Sequence, residues 1–148
     1  MSASRDIEIG AVRPGEEAPL LELLERCRLP EAGLREHLET ALVAREDGRI
    51  VGSSVLELYA DGALLRSVAV EADRRGIGLG IRLTEAALEL ARRRGARRVF
   101  LLTETAGEFF PRFGFRVIAR AEVPESVKSS VEFTSACPQS ALVMERAL

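Results

Sequence analysis

Only one histidine, His37, and only two cysteines, Cys27 and Cys137, occur in the 148 residues. Metal-assisted hydrolysis or a Ser-His-Asp triad would have to run through that single imidazole, which makes both poor explanations of this chain. His37 sits in the polar pattern LREHLETA, where an exposed place on an acidic helix is expected. The cysteines are too few and too far apart for a metal knuckle, and in a reducing cytoplasm they are expected as thiols. Cys137, just before Pro138, reads as a half-buried structural thiol. No apolar run reaches the length of a membrane span, and the opening MSASRDIEIG lacks the apolar core of a signal peptide. A cytoplasmic protein without a membrane partner is expected. A net charge of -2 gives no bulk attraction to nucleic acid, so none is expected as a partner.

What is present is an ordinary globular composition, 47% hydrophobic and 30% charged. The length suits one domain over residues 1–148, and no repeat or linker divides it. Ile7 to Arg13 alternates like a half-buried strand and is broken by Pro14 and Gly15. EEAPLLELLERCR has helical spacing and is stopped by Pro30, and EAGLREHLET is a shorter helical piece. Two strands flank Asp47-Gly48, a hairpin signal because both residues tolerate positive φ. Asp61-Gly62 then leads into ALLRSVAV, so three antiparallel strands follow one another. A long amphipathic helix begins near Leu79 and is capped by Gly95. RRVFLLT reads as a buried strand, AGEFFPRFG as a short helix, FRVIAR as a strand, and Ala141 to Arg146 as the last strand. The class is α+β.

Between strand and helix lies EADRRGIGLG, with Gly76, Gly78 and Gly80 on alternate positions. A glycine turn at a helix N-terminus presents several N–H groups in one direction, reinforced by the helix dipole, and lets a diphosphate approach the backbone. Arg74 and Arg75 add charge at its rim. A tight connection needing glycine only for its geometry would look the same. A P-loop is excluded because Ile81-Arg82, not Lys-Ser/Thr, follows Gly80; the G-x-G-x-G spacing also departs from a dinucleotide fingerprint.

The element order, Arg75-Gly76-Ile77-Gly78-Leu79-Gly80 after LLRSVAV, and the aromatic pair with Gly-Phe in EFFPRFGF together resemble the GNAT superfamily of acetyl-CoA-dependent N-acetyltransferases. The likeness runs from Ile7 to Leu148. It implies a central mixed, mostly antiparallel twisted sheet of about six to seven strands flanked by about four helices. A narrower likeness, carried by LELYADGALLRSVAV, LLTETAGEFFPRFGF and VPESVKSSVEFTSACPQSALVM, is to the branch labelled arsenic-resistance N-acetyltransferases.

By this resemblance, backbone groups of Val68 and Val70, with Ala69 between them, pair with the pantetheine arm. A main-chain N–H near Val68 to Val70 bonds the thioester oxygen. The amides of Gly76, Ile77, Gly78, Leu79 and Gly80, with the Arg75 side chain, hold the pyrophosphate. Phe110 stands where many members carry a tyrosine that protonates the departing thiolate, and its ring cannot donate a proton. Water, Ser67, Cys137 or no dedicated acid fills that role. Glu57 is the first candidate base and Glu104 the second, each acting directly or through a water. Arg66 is a candidate clamp for an acceptor carboxylate, or else a surface residue. The expected function is acetyl transfer to the amine of a small amino-acid-like substrate, an arsenical among them, with acetyl-CoA as cosubstrate and no metal. A non-catalytic CoA sensor and a protein N-acetyltransferase are the alternatives. A small-molecule enzyme is expected to close its cleft with the helix between Pro30 and Thr40 and the VPESVKSS loop. Family members are often dimers, so a homodimer is expected.

Overall fold

Residues 41–70 are rich in apolar and β-branched side chains and are punctuated by Asp47-Gly48 and Asp61-Gly62, and the chain spends them on three consecutive strands. In the computed structural model, which describes residues 6–148, these are β2 (Ala41–Glu46), β3 (Arg49–Tyr59) and β4 (Gly62–Val70), preceded by β1 (Glu8–Ala11) and α1 (Glu17–Arg26). After β4 come α2 (Leu79–Arg93), β5 (Arg98–Thr103), β6 (Arg116–Ile118), a one-turn α3 (Glu125–Lys128) and β7 (Leu142–Ala147). The first residues of the N-terminal stretch read against a signal peptide lie outside the described residues. Among the described residues, no helix is long and apolar enough to cross a membrane.

The strands form a seven-stranded sheet in the order β1-β2-β3-β4-β5-β7-β6. β1 with β2, β2 with β3, β5 with β7 and β6 with β7 are antiparallel, whereas β4 and β5 are parallel. The mixed α+β sheet is therefore as expected. The parallel pair needs a crossover, and α2 supplies it. The β2–β3 turn places both Asp47 (φ 52°) and Gly48 (φ 79°) in the left-handed region, the geometry of the tight hairpin that their sequence signals.

Internal contacts group the chain into two compact units: residues up to Val55 with Ser67–Ala87, and Leu56–Arg66 with Leu88–Leu148. The chain passes between them inside β3, β4 and α2, never through a linker. In the first unit, Leu20, Leu23 and Leu24 form the i, i+3, i+4 stripe of α1 and bury against Leu34, Val43, Ile50 and Val55. Each fully buried leucine contributes about 1.5–3 kcal/mol. The second unit has its own core of Leu64, Phe100, Ile118, Val123, Val127, Phe133 and Val143.

Local boundaries differ from the sequence reading for identifiable reasons. α1 ends at Arg26, before Pro30 can act, because Arg28 turns into the left-handed region (φ 59°). The piece at Leu34–Thr40 is a 3-10 helix kinked at His37 (φ -124°, ψ 22°), and His37 is half-buried rather than exposed. The expected VPESVKSS loop is partly helical as α3, and Glu132–Ala136 forms a π-type turn after it. Gly62 (φ 153°) carries no Cβ because one would stand 2.9 Å from the Phe100 ring and 3.0 Å from the Arg98 carbonyl oxygen. Gly62→Ala is expected to destabilise the fold by about 2 kcal/mol, since neither a buried ring nor a backbone carbonyl can move away cheaply. Thermal unfolding checks this, and an unchanged Tm would show that the contact relaxes freely.

Candidate active site

In the first unit, β4 runs into a 3-10 turn at Ala72–Arg74, and then into the glycines that open α2. Gly76 (φ 84°) and Gly78 (φ 82°) both lie in the left-handed region, and no atom comes within 4 Å of where a Cβ would stand at either. Packing does not demand glycine there; the backbone conformation does, and the space beside it is open. The Arg82 N–H donates to the Gly78 carbonyl, which starts the helical ladder. The N–H groups of Leu79, Gly80 and Ile81 therefore fall in the turn that has no carbonyl four residues back within the helix. They stand at the positive end of a 15-residue helix, next to the two glycines. These residues fit a phosphate group.

The turn is braced by ion pairs that the sequence does not signal. Glu71 is buried, its N–H donates to the Val51 carbonyl at 2.8 Å, and its carboxylate receives Arg26 of α1 through Nε (3.2 Å) and Nη2 (2.6 Å). The Arg26 hydrogen bond holds the Glu71 carboxyl below its ordinary range, against the opposing effect of burial. Arg74 donates from Nε to Glu46 at 2.6 Å, so its charge is matched by a buried carboxylate of β2. Arg75 remains exposed; its Nε donates to the Val70 carbonyl at 3.0 Å, and its Nη2 lies 3.8 Å from Cys27 Sγ. Of the two rim arginines, Arg75 is the one without a carboxylate partner among the described residues.

Within β4, Ser67 has φ 58°, a left-handed value inside a strand. For a non-glycine residue that costs about 1–2 kcal/mol, so the surrounding structure must impose it. Ser53 Oγ on β3, itself buried, donates to the Ser67 carbonyl at 2.7 Å. Val68, Ala69 and Val70 complete the strand, with Ala69 buried and the two valines half-buried.

In the second unit, three charged side chains meet in the interior. The Arg66 side chain is 0% exposed and donates from Nη1 to Glu57 Oε2 at 2.9 Å, with Glu57 equally buried. Glu132 Oε2 lies 3.6 Å from Arg66 Nε. Tyr59 donates its hydroxyl to Glu57 Oε1 at 2.5 Å, and the Cys137 thiol donates to Glu132 Oε1 at 3.3 Å. Burial pushes the Cys137 thiol up to about 12, with the Glu132 charge and hydrogen bond adding to it. Burial also raises Glu132, against the pull of Arg66. Two carboxylates around one guanidinium would leave an uncompensated buried charge, and a raised Glu132 relieves it.

These placements revise several expectations. Arg66 is not a surface residue, and both Glu57 and Glu132 already hold its guanidinium. Glu57, the first candidate base, is fully buried, and each of its oxygens accepts a hydrogen bond. Glu104 is exposed one position past β5. Phe110 is buried in an aromatic cluster, edge-on to Phe109 (5.1 Å) and Phe115 (5.8 Å). Ile77 is 60% exposed between the two left-handed glycines. Cys137 is half-buried, as its sequence context suggests. Among the described residues, no group of three His, Cys, Asp or Glu residues could hold a metal ion. Glu132 and Ser53 were not singled out in the sequence. The signal for Glu132 is a lone carboxylate between Val131 and Phe133; Ser53 carries none beyond its place in a strand.

The family model for the acetyltransferase (GNAT) domain matches residues 37–117. An amino-acid acetyltransferase of Neisseria meningitidis is 31% identical over 117 residues, 78% of this chain and 26% of the relative. An amino-acid acetyltransferase of Mycobacterium tuberculosis is 39% identical over 82 residues, 54% of this chain and 46% of the relative. This chain thus spans only about a quarter to a half of the length of these relatives. Among solved structures, N-acetylglutamate synthase from Neisseria gonorrhoeae complexed with coenzyme A and N-acetyl-glutamate superposes with a TM-score of 0.82 at 22% identity. That match covers 99% of this chain and 36% of the other, and at this identity it shows a shared fold.

Two of the buried carboxylates, Glu71 and Glu132, make opposite pH signatures. Glu71, held low, stabilises the fold above the ordinary carboxylate range and loses that contribution as pH falls through it. Glu132, held high, takes up its proton more readily folded than unfolded, so its contribution is largest at low pH and is lost as pH rises. Denaturant titrations across this range are expected to show a shallower acid loss in Glu71→Gln, and a smaller decline toward neutral pH in Glu132→Gln. Curves parallel to the parent in both variants would contradict the assignments.

Proposed function

We propose that this chain, which belongs to the GNAT acetyltransferase family, transfers the acetyl group of acetyl-CoA to the amine of a small amino-acid-like molecule. The observation that carries the reading is the pair of left-handed glycines, Gly76 and Gly78, with open space beside them at the start of α2. The N–H groups there would hold the CoA pyrophosphate, with Arg75 supplying charge from the rim. Val68 to Val70 would line the pantetheine arm through their backbone. Acetyl-CoA supplies an activated thioester: the amine nitrogen takes the acetyl group, the carbon–sulfur bond breaks, and the thiol departs. The relatives named as amino-acid acetyltransferases support an amino-acid-like acceptor. An arsenical of that shape rests on the likeness of the Val123 to Met144 tail to the arsenic-resistance branch. A cytoplasmic location and a homodimer accompany the proposal.

The buried cluster changes which residues take which part. Proton acceptance by Glu57 would leave Arg66 poorly paired in the interior, so we assign Glu57 and Arg66 to fixing β3 against β4. Glu104, exposed to solvent, is the better carboxylate to receive the amine proton through a water. The departing thiolate is given no dedicated side-chain acid, because the hydrocarbon ring of Phe110 cannot supply a proton.

Thiol release from acetyl-CoA, measured against amino acids, their carboxyl-blocked esters and peptide N-termini, tests the reading. Turnover with free amino acids is expected; CoA binding without any thiol release would favour a sensor, and peptide turnover a protein acetyltransferase. Gly78→Asp is expected to lower CoA affinity by at least 100-fold, since it puts an anion and a strained Cβ beside the proposed phosphate site. Retained affinity in a folded Gly78→Asp protein would remove the loop from the site.

A further inference from the structure

We infer that Ser53 is a positioning residue for acetyl transfer: its hydroxyl turns the Ser67–Val68 peptide so that the Val68 N–H becomes the donor to the thioester oxygen. This rests on the acetyl-CoA reading above and selects, among the three backbone amides of Val68 to Val70, the one that does the work.

A regular strand keeps φ negative, and β4 departs from this at Ser67, with φ 58°. The residue is not glycine, so the departure costs energy and needs a partner that holds it. Ser53 Oγ, 2.7 Å from the Ser67 carbonyl oxygen, is such a partner. Ser53 is fully buried, so its hydroxyl has no water to exchange this bond for, and losing the acceptor would leave a polar group stranded. A trans peptide is planar, with its C=O and N–H antiparallel, and the described chain contains no cis peptide. Fixing the Ser67 carbonyl toward Ser53 therefore fixes the Val68 N–H in the opposite direction. An oxyanion donor stabilises developing charge only if it is oriented before the reaction, because reorientation would cost what the bond returns.

The neighbouring serine supplies the contrast. Ser54 is equally buried on the same strand, but its hydroxyl donates to the Leu83 carbonyl of α2 at 3.0 Å. Ser53→Ala and Ser54→Ala each remove one buried hydroxyl from β3, and they differ in which carbonyl they release.

The test uses the full chain with acetyl-CoA carrying a 13C-labelled carbonyl, read by infrared difference spectroscopy on the bound complex and by steady-state kinetics. In the parent the carbonyl stretch is expected to lie below its value in water. Ser53→Ala should return it toward the water value and lower kcat by roughly 10- to 100-fold, a partial loss of what one oxyanion donor contributes. Acetyl-CoA affinity should change by less than about threefold, because the donor acts mainly as charge develops. Ser53→Thr, which keeps a hydroxyl, should restore the shifted stretch, and Ser54→Ala should leave it in place. An unshifted parent carbonyl, an identical shift in folded Ser53→Ala, or an equal loss in Ser54→Ala would each overturn the inference. Failure of the parent to bind acetyl-CoA would instead overturn the reading beneath it, and the inference with it.

Discussion

Between Ser67 and Gly78 the backbone has to enter the left-handed region three times, at Ser67, Gly76 and Gly78, and the rest of the site depends on how those departures are held. Two of them fall on glycine, where the conformation carries no Cβ penalty. The third falls on serine and is held by a neighbouring hydroxyl. A regular strand would direct its amides into the sheet ladder. A strand interrupted at Ser67 and continued into a glycine turn can direct amides elsewhere, in the proposed function at two levels along one ligand. The Glu71–Arg26 and Glu46–Arg74 pairs keep the turn between those levels in place.

The second unit solves a different problem. Glu57, Arg66 and Glu132 bring three ionisable groups into an interior where an isolated charge would be costly. The tight Arg66–Glu57 pair satisfies most of that demand, and Tyr59 takes the remaining Glu57 oxygen. Glu132 is left with a longer contact, and burial holds its proton more firmly than in an ordinary carboxyl, against the pull of Arg66 and of the Cys137 hydrogen bond. Replacing one member alone would strand the others, and the usual cost of breaking such a buried pair is about 3–5 kcal/mol. The cluster is thus rigid by necessity. It occupies the very residues that sequence position suggests for acid-base or clamping work.

Legibility followed the range of the interactions. The apolar runs of β2 to β4, the Asp47-Gly48 turn, the stripe of α1 and the Gly95 cap of α2 are local, and each could be read from a few neighbouring residues. The glycine turn was legible because its residue types and its place before a helix are themselves local. What escaped depends on partners far away in sequence. Arg26 meets Glu71 across 45 positions, and Ser53 meets Ser67 across 14. Glu57 was legible as a residue of interest but not as a buried one. An acid between two leucines on a strand gives no sign of an arginine nine positions on across the hairpin.

In the proposed function the amides of the glycine turn receive the CoA diphosphate. Amide chemical shifts followed during a titration with CoA test it most directly. The account predicts saturable changes at Gly76, Ile77, Gly78, Leu79 and Gly80, with smaller ones from Val68 to Val70. Saturable binding that leaves those amides unmoved, or no binding at all, would contradict it.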